Sequence, residues 1–227
     1  MGKVVKLEKP LTQYVGPLSP KQAAEGIAAA YDTAIALLQD AELLLEHGRW
    51  ARALALAILA IEEAGKAHIL RGLLLARTEK ERRDHWRDYR SHTKKNFAYI
   101  LPDLVSGGAR SLDDLHPLVD PNSDHGQVLD TCKQLAFYSE AVVGVQPCNW
   151  STPAKTIDEA FARSIIATAK VFASGEHAMT SEAELELWVQ HLRPVWKVAP
   201  EYEVKQAMAA CYADGPAPGW WTPALCC

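Results

Sequence analysis

Two long amphipathic stretches, separated by a link too short for anything but a reversal, constrain this chain more than any other feature. Ser19 stands as N-cap, with Pro20 at the first helical position and Gln22 completing a capping box. The apolar stripe that follows, Ile27, Tyr31, Ala34, Leu38, Ala41 and Leu45, steps by four and three and predicts a helix over 20–47, with Gly48 as its stop. A second stripe, Leu54, Ile58, Ile61, Gly65, His68, Gly72 and Leu75, predicts a helix over 50–77. The two must form an antiparallel hairpin.

The rest of the chain reads the same way. Thr78 and Glu81 make a capping box for a third helix expected to run to Ile100, before Pro102. Residues 101–124, rich in Pro, Gly, Asp and Ser, predict a long loop with one short turn. Helical spacing resumes at Val128, Cys132, Leu135 and Ser139 and breaks near Gly144. Thr156 to Glu159 caps a helix to Ala173, Ser181 and Glu184 cap another to His191, and a last one spans Pro200 to Cys211. Strand signals are nearly absent and no internal repeat occurs. The expectation is an all-α antiparallel bundle in one domain over 19–213 (core 20–173), with an N-terminal arm over 1–18 and a flexible tail over 214–227.

Composition matters through what it excludes. The formal charge of −4 rules out a globally basic nucleic-acid binder, and the nine-residue apolar run Ala53–Ile61 is too short to span a bilayer. Five cysteines without a C-x-x-C pair, and no secretory signal, point to reduced thiols in a cytoplasmic protein. No Glu-x-x-His pair, H-E-x-x-H, nucleophile elbow or dinucleotide fingerprint is present, so neither metal nor cofactor is expected. His68, on an apolar stripe, reads as a core histidine.

Charge is distributed unevenly. Arg77 to Lys95 holds eight Lys or Arg against four acidic residues, so this stretch carries +4 and the remainder −8. Its cations, Arg82, Arg83 and Lys94 among them, suit either a solvated helix face or a phosphate-binding surface. Trp86, Tyr89 and Phe97 could stack on bases or belong to the core. Inside the patch, Arg87 precedes His92 by five residues. Cleaving a phosphodiester without a metal needs a group that moves the 2′-hydroxyl proton and a fixed cation for the crowded phosphorane, the roles His and Arg fill. On a continuous helix the pair would diverge by about 140°, so a bend or a second chain must bring them together. Glu62 and Glu63 interrupt the apolar second helix. Glu62 and Lys66 have ion-pair spacing; the segment either faces solvent beside the patch or orients Arg87 or His92.

These residues resemble the AbiV family of abortive-infection proteins, a branch of the HEPN superfamily. The likeness begins at Ala34-x-x-Leu37-Leu38-x-Asp40-Ala41-x-Leu43-Leu44 and the Gly48-x-x-Ala51-x-Ala53 turn. It peaks at Leu56 to Ala67 with its Glu62-Glu63-Ala64-Gly65-Lys66 block. It continues through Arg90-Ser91-His92-Thr93-Lys94-Lys95, Lys133-Gln134-x-Ala136-x-Tyr138, Trp150-x-x-Pro153 and Ile157-Asp158-Glu159-Ala160. The resemblance covers about 20–173; nothing in 176–227 contributes. It implies a HEPN-like bundle with extra C-terminal helices, a homodimer, and a metal-independent ribonuclease site with Arg87 and His92 catalytic. Glu62, Glu63, Lys66, Arg90 and Lys95 would support that pair, and Arg82, Arg83 and Lys94 would hold RNA (tRNA, rRNA or mRNA). It further implies a phage-defence role that arrests translation; for such an effector a phage protein is the expected trigger. Asp88 departs from the family pattern, which favours Asn or another polar residue after the arginine. The competing reading is a non-catalytic helical dimer that binds a phage or host protein through Trp188, Trp196, Trp220 and Trp221.

Overall fold

The computed structural model describes residues 12–96, 98–110, 113–118, 120, 122–142, 149–173 and 181–215; Phe97, Trp220, Trp221 and most of the expected tail lie outside them. The first two helices, α1 (Pro20–Glu46) and α2 (Trp50–Leu75), form the expected hairpin. Ser19 Oγ accepts from Gln22 N while Gln22 Oε1 accepts from Ser19 N, closing the capping box. Gly48, at φ 67°, ends α1 in a Schellman motif: Arg49 N donates to Leu44 O at 2.8 Å and Gly48 N to Leu45 O at 3.0 Å. The left-handed turn costs glycine little and reverses the chain within three residues.

Helix α2 is the axis of the molecule. One stripe was expected to be buried, yet residues on all its sides are inside: Ala53, Leu54, Ala55, Ala57, Ile58, Ala60 and Ile61 are each 3% exposed or less. Alanine makes this possible, because a small side chain lets a neighbouring helix approach without a cavity or a clash. Helix α1 packs along one side and α8 (Glu159–Ala173) along another, seating Ala162, Ile165, Ile166 and Ala169. Helix α6 (His125–Phe137) and the short helices α3 (Glu79–Arg90) and α4 (His92–Lys95) cover the C-terminal half of α2.

The third helix differs from expectation. It splits into α3 (Glu79–Arg90) and α4 (His92–Lys95), and residues 101–106, expected as loop, form α5 (Leu101–Ser106). Pro102 opens α5 from its first turn, where a missing N–H costs nothing, instead of closing the preceding helix. A 3₁₀ turn spans Asp113–Leu118. Strands β1 (Glu140–Val142) and β2 (Asn149–Ser151) make one three-residue antiparallel pair, leaving the protein all-α. After α7 (Pro153–Thr156), α8 is capped by Asp158, whose Oδ1 accepts from Phe161 N at 2.8 Å; Thr156 instead closes α7 by donating to Thr152 O.

The N-terminal arm, over its described residues 12–18, lies on α3. Buried Trp86 donates from Nε1 to Gly16 O at 3.0 Å and meets Tyr14 and Tyr89 edge to face, so this tryptophan is structural. At the far end, α9 (Glu182–Leu187) continues into a π turn (Trp188–Leu192), followed by α10 (Glu201–Asp214). Helix α9 packs on α1 and the π turn on α2, with α10 resting on the π turn; Arg193 donates to Ala76 O, and the Arg71 guanidinium lies 5.5 Å from the Trp188 ring. Among the described residues, no helix is long and apolar enough to cross a membrane.

Candidate functional site

A carboxylate in the most apolar helix needs partners, and Glu62 has them. It is 2% exposed on α2. Its Oε2 accepts from Nδ1 of His92 at 2.6 Å, its Oε1 accepts from Lys133 Nζ on α6, and Lys95 Nζ lies 3.8 Å from Oε2. Lys133 is itself buried and also pairs with Asp130 Oδ1 at 2.8 Å, one turn earlier on α6. Two carboxylates thus face two ammonium groups, and the buried charge is balanced. An isolated ion here would cost several kcal/mol, on the order of what a well-bonded network offsets. Burial still holds the Lys95 ammonium below the usual lysine range, opposed by the attraction of Glu62.

Three local features bring His92 to this carboxylate. Ser91 leaves helical geometry (φ −82°, ψ 126°), ends α3, and caps α4 by accepting from Lys94 N, so α4 starts in a new direction at His92. Gly65 on α2 then lets the α4 backbone come close: a Cβ there would stand 2.0 Å from Lys95 O. Gly126 on α6 does the same from the other side, where a Cβ would meet Thr93 O at 2.6 Å. Helix α4 is wedged between two glycines, which is why Gly65 follows Glu62 by three residues in the sequence.

The hydrogen bond to Glu62 sets the chemistry of His92. A carboxylate only accepts, so Nδ1 carries the proton and the neutral ring keeps its lone pair on Nε2. The side chain is 56% exposed, so the imidazole is held at its inner nitrogen while its outer edge meets solvent. That arrangement can take a proton from a hydroxyl and, once charged, stabilise an adjacent anion against Glu62.

The other expected site residues divide. Lys66 pairs with Glu63 at 2.6 Å and lies 5.2 Å from the Tyr89 ring centroid, not with Glu62 at the expected spacing. The reason is that Glu62 points inward to partners on α4 and α6. Arg87 is 73% exposed and bound to Asp84 at 3.0 Å and, more loosely, to Asp88 at 3.9 Å; among the described residues no hydrogen bond or ion pair joins it to His92. Arg82 is half-buried against Glu79, whereas Arg83, Arg90 and Lys94 are exposed. His68 is largely buried, which lowers its pKa to about 4 despite a hydrogen bond to the Gly65 backbone. Lys133 and Asp130 are the residues that sequence reasoning missed as site members. The available signal was a lysine between Leu129 and Ala136, both buried, on one face of α6.

Glu62, His92 and Asp130 form the one group among the described residues whose ligand atoms lie close enough to share a metal ion. The position between the two carboxylates is filled by the Lys133 ammonium, so the donor set fits an organic cation, and a metal would have to displace it.

Searches among curated proteins and among solved structures each return no match. A protein-family model, HEPN_AbiV (AbiV), matches residues 22–174, from the start of α1 to the end of α8. That span is more than half of the chain and contains every residue of the Glu62 network, while α9 and α10 lie beyond it. The chain therefore belongs to the AbiV family of HEPN proteins.

Proposed function

We propose that this protein is an abortive-infection effector that cleaves RNA without a metal ion, with His92 as the proton-transfer group. The observation that carries this reading is the 2.6 Å bond from His92 Nδ1 to buried Glu62 in a side chain that remains exposed. The outer nitrogen takes the 2′-hydroxyl proton, the 2′-oxygen attacks phosphorus, and the bond to the 5′-oxygen breaks. The proton passes to that leaving oxygen, giving a 2′,3′-cyclic phosphate and a 5′-hydroxyl end. Arg87 supplies positive charge to the phosphate. Its exposed pair with Asp84 is worth only about 0–1 kcal/mol, so exchanging that carboxylate for a phosphate costs little. Glu62, with Lys133 and Lys95 behind it, orients the ring and stabilises the imidazolium.

The test incubates the purified protein with total tRNA and rRNA in EDTA. Wild type should release cyclic-phosphate ends, and His92→Ala should lose at least about a hundredfold in rate, the usual contribution of a general base. Equal, slow degradation by both proteins would sink the proposal.

A further inference from the structure

Beside α4 lies a cleft of about 520 Å³ whose walls include His68, His85, Asp88, Lys94, Asp120 and His125. We propose that this cleft holds the nucleobase next to the cleaved phosphate and selects one bearing an exocyclic amine, with guanine fitting best. This rests on the RNA-cleaving reading of His92.

Position is the first argument. Thr93 and Lys94, which line the cleft, directly follow His92 on α4, so the backbone that carries the proton-transfer group also forms part of the cleft wall, with the Cα atoms of His92 and Thr93 about 4 Å apart. Its volume suits a base and part of its sugar.

Charge is the second. Burial lowers the pKa of His85, and that of His68 falls to about 4, so both rings are neutral near pH 7. Two carboxylates then face one lysine, an unwelcoming place for phosphate. The exposed cations Arg83, Arg87 and Arg90 are on α3, so phosphates have a separate surface. A metal is not the better occupant, since these side chains are not among the groups of ligand atoms that converge.

Hydrogen bonding is the third. Asp88 is 31% exposed, and its carboxylate accepts no hydrogen bond from the described residues; Arg87 Nε stays at 3.9 Å. A carboxylate open on one side pairs with adjacent N–H donors, which guanine presents at N1 and N2, cytosine and adenine present in part, and uracil lacks as an amine. The His85 ring is fixed in the wall by Gly72, where a Cβ would lie 2.6 Å from Cε1. Asp88 thereby acquires a role as a specificity residue.

The test titrates the full chain with 5′-GMP, 5′-AMP, 5′-CMP and 5′-UMP, following backbone amide shifts by NMR. None of these has a phosphodiester to cleave, so the result is independent of catalysis. The expected outcome is shifts at Thr93, Lys94 and Gly126, with GMP binding about tenfold or more tighter than UMP, as for a two-donor base contact. Asp88→Asn should bring GMP down to the level of UMP with thermal unfolding unchanged, and Asp120→Asn should keep the order of preference. Four nucleotides binding alike, no shifts in the cleft, or a preference that survives Asp88→Asn would each overturn the proposal. A GMP preference in a protein that cuts no RNA would leave the cleft standing and remove only the cleavage reading.

Discussion

Replacing Glu62 by glutamine keeps shape and removes one buried charge. Lys133 then retains Asp130 at 2.8 Å, but Lys95, 7% exposed, loses the carboxylate 3.8 Å away, and the network carries one uncompensated positive charge. Removing one partner of a buried pair costs about 3–5 kcal/mol. Lys95 can relieve part of this by releasing its proton, since burial already favours its neutral form, so the expected loss is near the lower end, about 3 kcal/mol. For a chain of this size that lowers Tm by about 6–12 °C. Lys133→Met alone should cost a similar amount, because it strips Glu62 of its shortest contact. The double variant restores charge balance between Asp130 and Lys95 and should lose less than the two single losses combined, with a coupling energy of about 2 kcal/mol. Urea unfolding of the four proteins measures this directly. Additive losses, or Glu62→Gln unfolding within about 0.5 kcal/mol of wild type as a surface substitution would, refute the argument that the network is buried and mutually compensated.

Two further outcomes follow from the same geometry. The folded protein holds His68 neutral, with a pKa of about 4, while the unfolded chain binds the proton near 6.5. The unfolded state therefore takes up more protons between those values, and stability should fall by roughly 3 kcal/mol as pH drops through that window; denaturant titrations at several pH values should show the slope flattened in His68→Asn. Gly65→Ala would drive a Cβ into Lys95 O, a backbone atom that cannot rotate away, so we expect a loss of about 3 kcal/mol together with loss of RNA cleavage as α4 is pushed off α2. Gly26→Ala, which meets only the flexible end of Leu70, should be much milder by the same urea assay, and equal small losses in both would refute the wedge.

What the sequence made legible is what short-range chemistry decides. The caps at Ser19, Thr78 and Ser181 each close between residues three apart, and Gly48 sets a turn by its own backbone freedom, so these features were readable from four-residue windows. The end of α3 was not, because Arg90, Lys94 and Lys95 are good helix formers and only Ser91 hints at a break. Glu62 announced itself as a misfit in an apolar helix, but the local partner suggested by spacing was Lys66, four residues on. Its actual partners, His92 and Lys133, are 30 and 71 residues away. The Arg87 to His92 spacing drew attention to a histidine that the structure sets against buried Glu62, while the contact that fixes its tautomer runs to α2 and not to Arg87.

These failures have one cause. A four-residue helix cannot hold itself together, because nucleation costs more than its few hydrogen bonds return. Helix α4 therefore exists through its docking on Gly65 and Gly126, and its first residue faces Glu62 for the same reason. The side chain chemistry of the site is written locally in His92, yet its orientation is a property of two glycines and two buried lysines contributed by α2, α4 and α6. Changes at Gly65, Gly126 or Lys133, none of which reaches the outer edge of the imidazole, should therefore lower the proposed RNA cleavage more than a change at exposed Arg163, which pairs with Glu159 on α8 and takes no part in placing α4.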